Sequence, residues 1–83
     1  MSEWDAQVID PVERLVDQWR RGNNTVALDL LLPGWRSNFG LTDGWSGALD
    51  AVRDTAESDA VTPDERAVLK AVADRIKRAL DHR

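Results

Sequence analysis

The chain lacks several residue types on which common functional sites depend. It has no cysteine and no tyrosine, and a single histidine, His82, next to the end of the sequence. Without cysteine there is no disulfide framework and no thiolate zinc site, so a domain of this size must rely on packing. None of the serines has a histidine in the body of the domain to serve as a general base. We therefore predict no catalytic residue, no metal and no cofactor.

Long apolar runs and phosphate-binding glycine motifs are also missing. The longest uninterrupted apolar run, Leu30 to Pro33, is far shorter than the roughly 20 residues of a membrane-spanning helix. The five glycines match neither GxGxxG nor GxxxxGK[ST], so a nucleotide cradle is not indicated. The first residues are acidic and lack the apolar stretch of a signal peptide. We expect a cytoplasmic protein that does not act at membranes.

Positive charge is in short supply. Eleven lysines and arginines stand against 15 aspartates and glutamates, for a formal net charge of −4. Nucleic-acid binding needs clustered basic side chains, so we expect no nucleic-acid partner. A helix-turn-helix is disfavoured as well, because the connection from Pro33 to Thr42 exceeds the roughly three to four residues of that motif. The acid excess instead suits a basic protein partner.

The residues that are present indicate one small helical domain. The apolar fraction of 42% and the charged fraction of 31% are typical of a globular protein. Apolar side chains recur at helical spacing in four segments, and no alternating pattern suggests a strand. We predict an all-α fold in which residues 1–83 form a single-domain bundle of four helices, at about 11–21, 24–32, 43–57 and 63–82. Residues 3–9 would add a short N-terminal helix.

The expected helix ends follow from local signals. Asp10 can cap the first helix with Pro11 at its first position, and because the residue before proline disfavours helical geometry we expect a break there rather than one kinked helix. Thr62, Pro63 and Glu65 form the pattern of a capping box. The second helix, apolar on nearly all sides and capped by Asn23 or Asn24, should be buried on nearly all sides and stopped by Pro33-Gly34.

The stretch WRSNFGLTDGW, residues 35–45, is the most informative for function. Aromatic residues and arginine are enriched in binding hot spots, so we predict a partner-binding surface made by Trp35, Arg36 and Phe39, with Trp4. The alternative is that the aromatic side chains fold inward and close the core. Trp45 keeps register with the third helix and should be core, as should Trp19 on the first helix. Trp35 follows Pro-Gly and should be the most exposed.

These observations favour a non-catalytic protein that binds another protein, of the inhibitor, immunity, antitoxin or adaptor type. The alternative is a homo-oligomeric structural domain whose aromatic stripe is the subunit interface. A small ligand-binding or catalytic domain is a weaker third reading, which a deep pocket lined by Asp29, Arg36 or Asp43 would support. A DNA-binding regulator is weaker as well, for the reasons of charge and spacing given above. Asp50 and Asp54, one turn apart, are interpreted as part of a solvated helix face.

Overall fold

The computed structural model describes residues 3–36 and 44–81. Over these two stretches the backbone forms four α-helices and no strand, so the predicted all-α class is confirmed. The helices are α1 (Asp10–Arg21), α2 (Thr25–Arg36), α3 (Gly44–Glu57) and α4 (Pro63–Asp81). A π-helical segment, Asp5–Ile9, leads into α1.

The chain enters α1 without a break, so the expected interruption at Pro11 is wrong. Ile9 is helical, with φ −73° and ψ −51°, and no side chain caps α1, so Asp10 is not the predicted cap. Pro11 has no N–H for the carbonyl four residues earlier, which is that of Gln7. The Arg75 guanidinium of α4 donates to this carbonyl at 3.1 Å. This bond, together with the wider π turn, lets the helix continue through the proline.

The second helix is a turn longer than predicted because it runs through Pro33 and Gly34 to Arg36. Gly34 lies so close to α3 that a Cβ atom there would stand 2.6 Å from the Ala51 Cβ and 2.7 Å from the Gly47 carbonyl oxygen. The extra turn buries Trp35, which is 1% exposed. Close packing and this burial offset the hydrogen bond that the proline removes.

The expectation that α2 is buried on nearly all sides is also wrong. Ala27 and Leu31 are fully buried, whereas Val26 is 56% exposed and Leu30 is 38% exposed. Among the described elements α2 contacts α1 and α3. Its opposite face is therefore left without a helix against it.

Side chains tie the helix ends to one another. The Asn24 Oδ1 atom accepts a hydrogen bond from the Ala27 N–H at 3.3 Å, which confirms Asn24 as the cap of α2. The Asn24 Nδ2 atom donates to the Ala60 carbonyl at 2.8 Å and so joins the α1–α2 link to the α3–α4 link. The Arg66 Nε atom of α4 donates to the Ala56 carbonyl near the end of α3 at 2.8 Å. The α1–α2 and α3–α4 connections are thus held by polar contacts as well as by the core.

The apolar stripes predicted for α1, α3 and α4 meet in one core. Its buried members are Val8, Val12, Leu15, Val16, Trp19, Ala27, Leu31, Trp35, Ala48, Leu49, Ala51, Val52, Ala56, Val61, Leu69, Val72, Ala73 and Ile76. Trp4, Trp45 and Leu80 are only partly buried at its edge. The core is therefore complete in its middle and less well covered where these three side chains meet.

Replacing Gly34 by alanine should destabilise the fold, although alanine is the better helix former by about 1 kcal/mol. The added methyl group would overlap Ala51 and the Gly47 backbone, and overpacking of this kind typically costs about 1–3 kcal/mol. Urea unfolding followed by circular dichroism measures the change, with Ser46→Ala at an exposed position of α3 as the control. A G34A protein as stable as the parent would show that α2 and α3 are not in close contact there.

Candidate functional site

Three tryptophans form a row across the end of the bundle, which we call the aromatic row (Trp4, Trp45 and Trp35). The rings of Trp4 and Trp45 have centroids 5.0 Å apart and planes at 83°. Those of Trp35 and Trp45 are 6.0 Å apart at 86°. Edge-to-face pairs of this geometry contribute about 0.5–1.5 kcal/mol each beyond area burial. Trp45 is therefore held from both sides.

The structure reverses the expected exposure of two of these residues. Trp35, expected to be exposed, is 1% exposed, whereas Trp45, expected to be core, is half-buried like Trp4. The cause is the additional turn of α2, which carries Trp35 inward instead of leaving it in a loop. The Trp35 Nε1 atom lies 3.5 Å from the Glu13 Oε1 atom of α1. Trp19 is 2% exposed, as its place on the α1 stripe predicts.

The structure brings only part of the predicted partner-binding set together. Trp4 and Trp35 both belong to the aromatic row and are joined by Trp45, which sequence reasoning assigned to the core. Arg36 is exposed at the end of α2 and does not line the same site. Phe39 lies outside the described residues. Trp35 is too deeply buried to meet a partner directly, so its role as an exposed anchor is not supported.

An apolar pocket, which we call the tryptophan pocket, opens beside the aromatic row. Its volume is about 180 Å³, and its walls are Trp4, Trp45, Ile76, Ala79 and Leu80. None of these side chains is titratable, so the pocket offers shape and apolar surface rather than charge. Its walls come from the N-terminal segment, the start of α3 and the last turns of α4. No local sequence pattern joins three such distant segments, which is why Trp45 and Leu80 were assigned to the core and not to a binding site.

Two larger grooves lie elsewhere on the surface. One, of about 390 Å³ between α3 and α4, is lined by Arg53, Lys70, Ala71, Ala73 and Asp74. The other, of about 430 Å³ between α1 and α4, is lined by Leu15, Gln18, Thr62, Asp64, Glu65 and Val68. The first mixes both signs of charge, and the second surrounds a carboxylate that already has partners. Neither has the uniform lining of the tryptophan pocket.

Glu65 is the one buried charged side chain among the described residues, at 8% exposure. Its Oε2 atom accepts a hydrogen bond from the Trp19 Nε1–H at 2.9 Å. Its Oε1 atom accepts one from the Thr62 N–H at 2.9 Å, and the Glu65 N–H donates back to the Thr62 Oγ1 atom at 3.2 Å. The predicted capping box is confirmed. Because both carboxylate oxygens are engaged, Glu65 has a structural role here.

The remaining candidates for chemistry do not form a site in the part of the chain that is described. Asp50 and Asp54 are both exposed on α3, in agreement with a solvated face, and His82 falls outside the described residues. Over residues 3–36 and 44–81, no three histidine, cysteine, aspartate or glutamate side chains are grouped so as to hold a metal ion. None of the helices in those ranges is both long and apolar enough to cross a bilayer.

Comparison with known proteins adds no assignment to this geometry. No protein-family model, no curated protein and no solved structure matches the chain. Function is therefore argued from the pocket and the surface around it.

The Trp19 and Glu65 side chains should be energetically coupled through their hydrogen bond. Glu65→Gln leaves one side-chain oxygen to accept from two donors, and its amide N–H then faces the donor that is left without an acceptor. We therefore expect the free energy of unfolding to fall by about 1–3 kcal/mol. Trp19→Phe removes one of those donors, so E65Q should cost less in that background. Urea unfolding of the two single variants and the double variant gives the coupling energy, expected between about 0.5 and 3 kcal/mol.

The exposed Glu57→Gln is the matched control and should change the free energy of unfolding by less than about 0.5 kcal/mol. Strictly additive losses in W19F and E65Q would show that the bond between these side chains contributes nothing to stability.

Proposed function

We propose that this domain is a non-catalytic binding protein, and that its tryptophan pocket receives one aromatic or branched aliphatic side chain of a partner polypeptide. The observation that carries the proposal is the open apolar pocket that two half-buried indoles, Trp4 and Trp45, line together with the last turns of α4. Monomeric proteins expose few contiguous apolar sites without a use for them. The partner-binding role predicted for Trp4 is retained, and Trp45 replaces Trp35 as its companion.

The size of the pocket favours a single side chain over a free ligand. Sites for small molecules and cofactors usually measure about 300–1,000 Å³, whereas this pocket holds about 180 Å³. A dry apolar cavity of about 150 Å³ accepts one benzene molecule. One phenylalanine or leucine side chain therefore matches the space, and the rest of the affinity would come from the surrounding surface.

The construction of the pocket favours tight anchoring. Trp45 is packed edge-to-face against Trp35, which is itself buried, so the wall of the pocket is rigid before a partner arrives. A preformed wall loses little conformational entropy on binding. Tryptophans in desolvated pockets are also the residues most often found at hot spots. These features support recognition of a polypeptide rather than catalysis.

The charge of the chain narrows the class of partner. A net charge of −4 favours encounter with a basic protein and disfavours nucleic acid. Inhibitor, immunity, antitoxin and adaptor proteins all act by this kind of occlusion or bridging. With no cysteine in the chain, a reducing cytoplasm is the compartment in which we expect the encounter.

Filling the pocket from within should abolish partner binding. Ala79 is exposed at the mouth, so in Ala79→Phe the new ring would occupy the space meant for the anchor. A displayed peptide library with one fixed aromatic or aliphatic position supplies the probe. Peptides selected on the parent should bind A79F at least tenfold more weakly, a loss of about 1.4 kcal/mol, by fluorescence anisotropy.

Ala67→Phe is the matched control, because Ala67 is an exposed alanine of the same helix and does not line the pocket. Circular dichroism and thermal melting verify that both variants fold. Selected peptides that bind A79F as well as they bind A67F would contradict the assignment of the pocket.

A further inference from the structure

The N-terminal segment that carries Trp4 is joined to α4 by a directional polar contact. The Arg75 Nη1 atom donates a hydrogen bond to the Gln7 carbonyl oxygen at 3.1 Å. Trp4 precedes Gln7 by three residues, which is less than one helical turn. Among the side chains that the structure describes, this is the one hydrogen bond found between the N-terminal segment and another helix. Arg75 is therefore the polar link between the part of the chain that bears the Trp4 indole and α4.

The Gln7 carbonyl is available to Arg75 because of the proline that follows it. In a regular α-helix this oxygen would accept from the N–H four residues later, and Pro11 has no N–H to give. The oxygen is thus open to a donor from outside the helix. A guanidinium supplies a charged donor, whose hydrogen bonds are stronger than those of neutral groups. The two residues act as a pair, because the proline frees the acceptor and the arginine occupies it.

Arg75 stands next to the tryptophan pocket on α4. It lies one residue before Ile76 and four before Ala79, both of which line the pocket, and residues four apart are neighbours on a helix surface. The hydrogen bond therefore connects the helix that forms one wall to the segment that forms another. Val8 is fully buried and also holds that segment. Apolar packing is non-directional, however, and does not fix the angle at which the indole meets α4.

We propose that Arg75 is a positioning residue of the tryptophan pocket, which sets the distance between the Trp4 indole and α4 and so the size of the anchor side chain that fits. This inference rests on the proposed function, because it concerns the same pocket. The Trp4 ring also meets the edge of Trp45 at 5.0 Å, so a displacement of Trp4 changes both indole walls. Without the hydrogen bond the wall is no longer fixed in advance, and the pocket discriminates less between anchors of different size.

A spectroscopic test of the positioning role needs no partner. Arg75→Met removes the donors and keeps a long, unbranched side chain of good helix propensity. Fluorine NMR of protein labelled with fluorotryptophan gives one signal for each of the four tryptophans, and Trp4→Phe identifies the signal of Trp4. In R75M the Trp4 signal should shift or broaden. The signal of Trp19, which is buried on α1, should stay where it is.

Peptide binding tests the effect on the choice of anchor. Peptides selected on the parent should bind R75M about fivefold more weakly, which is the loss expected when one hydrogen bond is removed. Copies of one peptide with leucine, phenylalanine or tryptophan at the anchor position measure discrimination by size. The ratios of their dissociation constants should move toward one in R75M. Arg75→Lys retains a charged donor on a long side chain and should recover most of the affinity and of the discrimination.

Arg78→Met is the matched control, because Arg78 is an exposed arginine of the same helix and does not line the pocket. It should leave the Trp4 signal and the peptide affinities unchanged, and thermal melting verifies that every variant is folded. The positioning role is overturned if R75M keeps the Trp4 signal and the anchor preference of the parent, or if R78M changes them as much. A parent that selects no anchored peptide contradicts the proposed function instead, and the NMR comparison then still decides whether Arg75 positions Trp4.

Discussion

The buried carboxylate of Glu65 fixes the position of α4, and the site depends on where that helix lies. One oxygen accepts the indole N–H of Trp19, 46 residues away on α1, and the other closes the start of α4 on Thr62. A second tie lies ten residues further along, where Arg75 donates to the Gln7 carbonyl. These contacts act together with the core packing of Leu69 and Val72 to set where α4 lies. The last turns of α4, which line the tryptophan pocket, are therefore placed by contacts outside the pocket.

The wall of the tryptophan pocket that Trp45 forms depends on how closely α2 approaches α3. Gly34 leaves room for the backbone of Gly47, and a side chain there would separate the two helices. This approach carries Trp35 into the core, where its ring meets the edge of Trp45. Trp45 therefore packs on Trp35 on one side and is only partly buried on the other. A glycine without any functional group is thus responsible for the indole surface that a partner would meet.

Sequence reasoning succeeded where structure is decided locally and failed where packing overrides local preference. The apolar stripes of α1, α3 and α4 and the Thr62 capping box depend on neighbours within a few turns, and apart from the partial exposure of Trp45 and Leu80 they are found as predicted. Pro11 and Pro33 are helix breakers by local rules, yet both lie inside helices. At Pro11 an arginine from α4 serves the Gln7 carbonyl, and beside Pro33 the gain comes from burying Trp35. Neither contact has a local sequence signal, so the order of exposure among the tryptophans could not be predicted.

One of the five residues that line the pocket has a small side chain. Ala79 lines the pocket beside Ile76 and Leu80 of α4 and is exposed at its mouth, and a larger aliphatic residue there would fill part of the space and add apolar burial at about 25 cal/mol per Å². In a chain of 83 residues, with a total stability of about 4–12 kcal/mol, such a gain is considerable. With alanine at position 79 this stabilisation is absent, and the two indoles remain accessible.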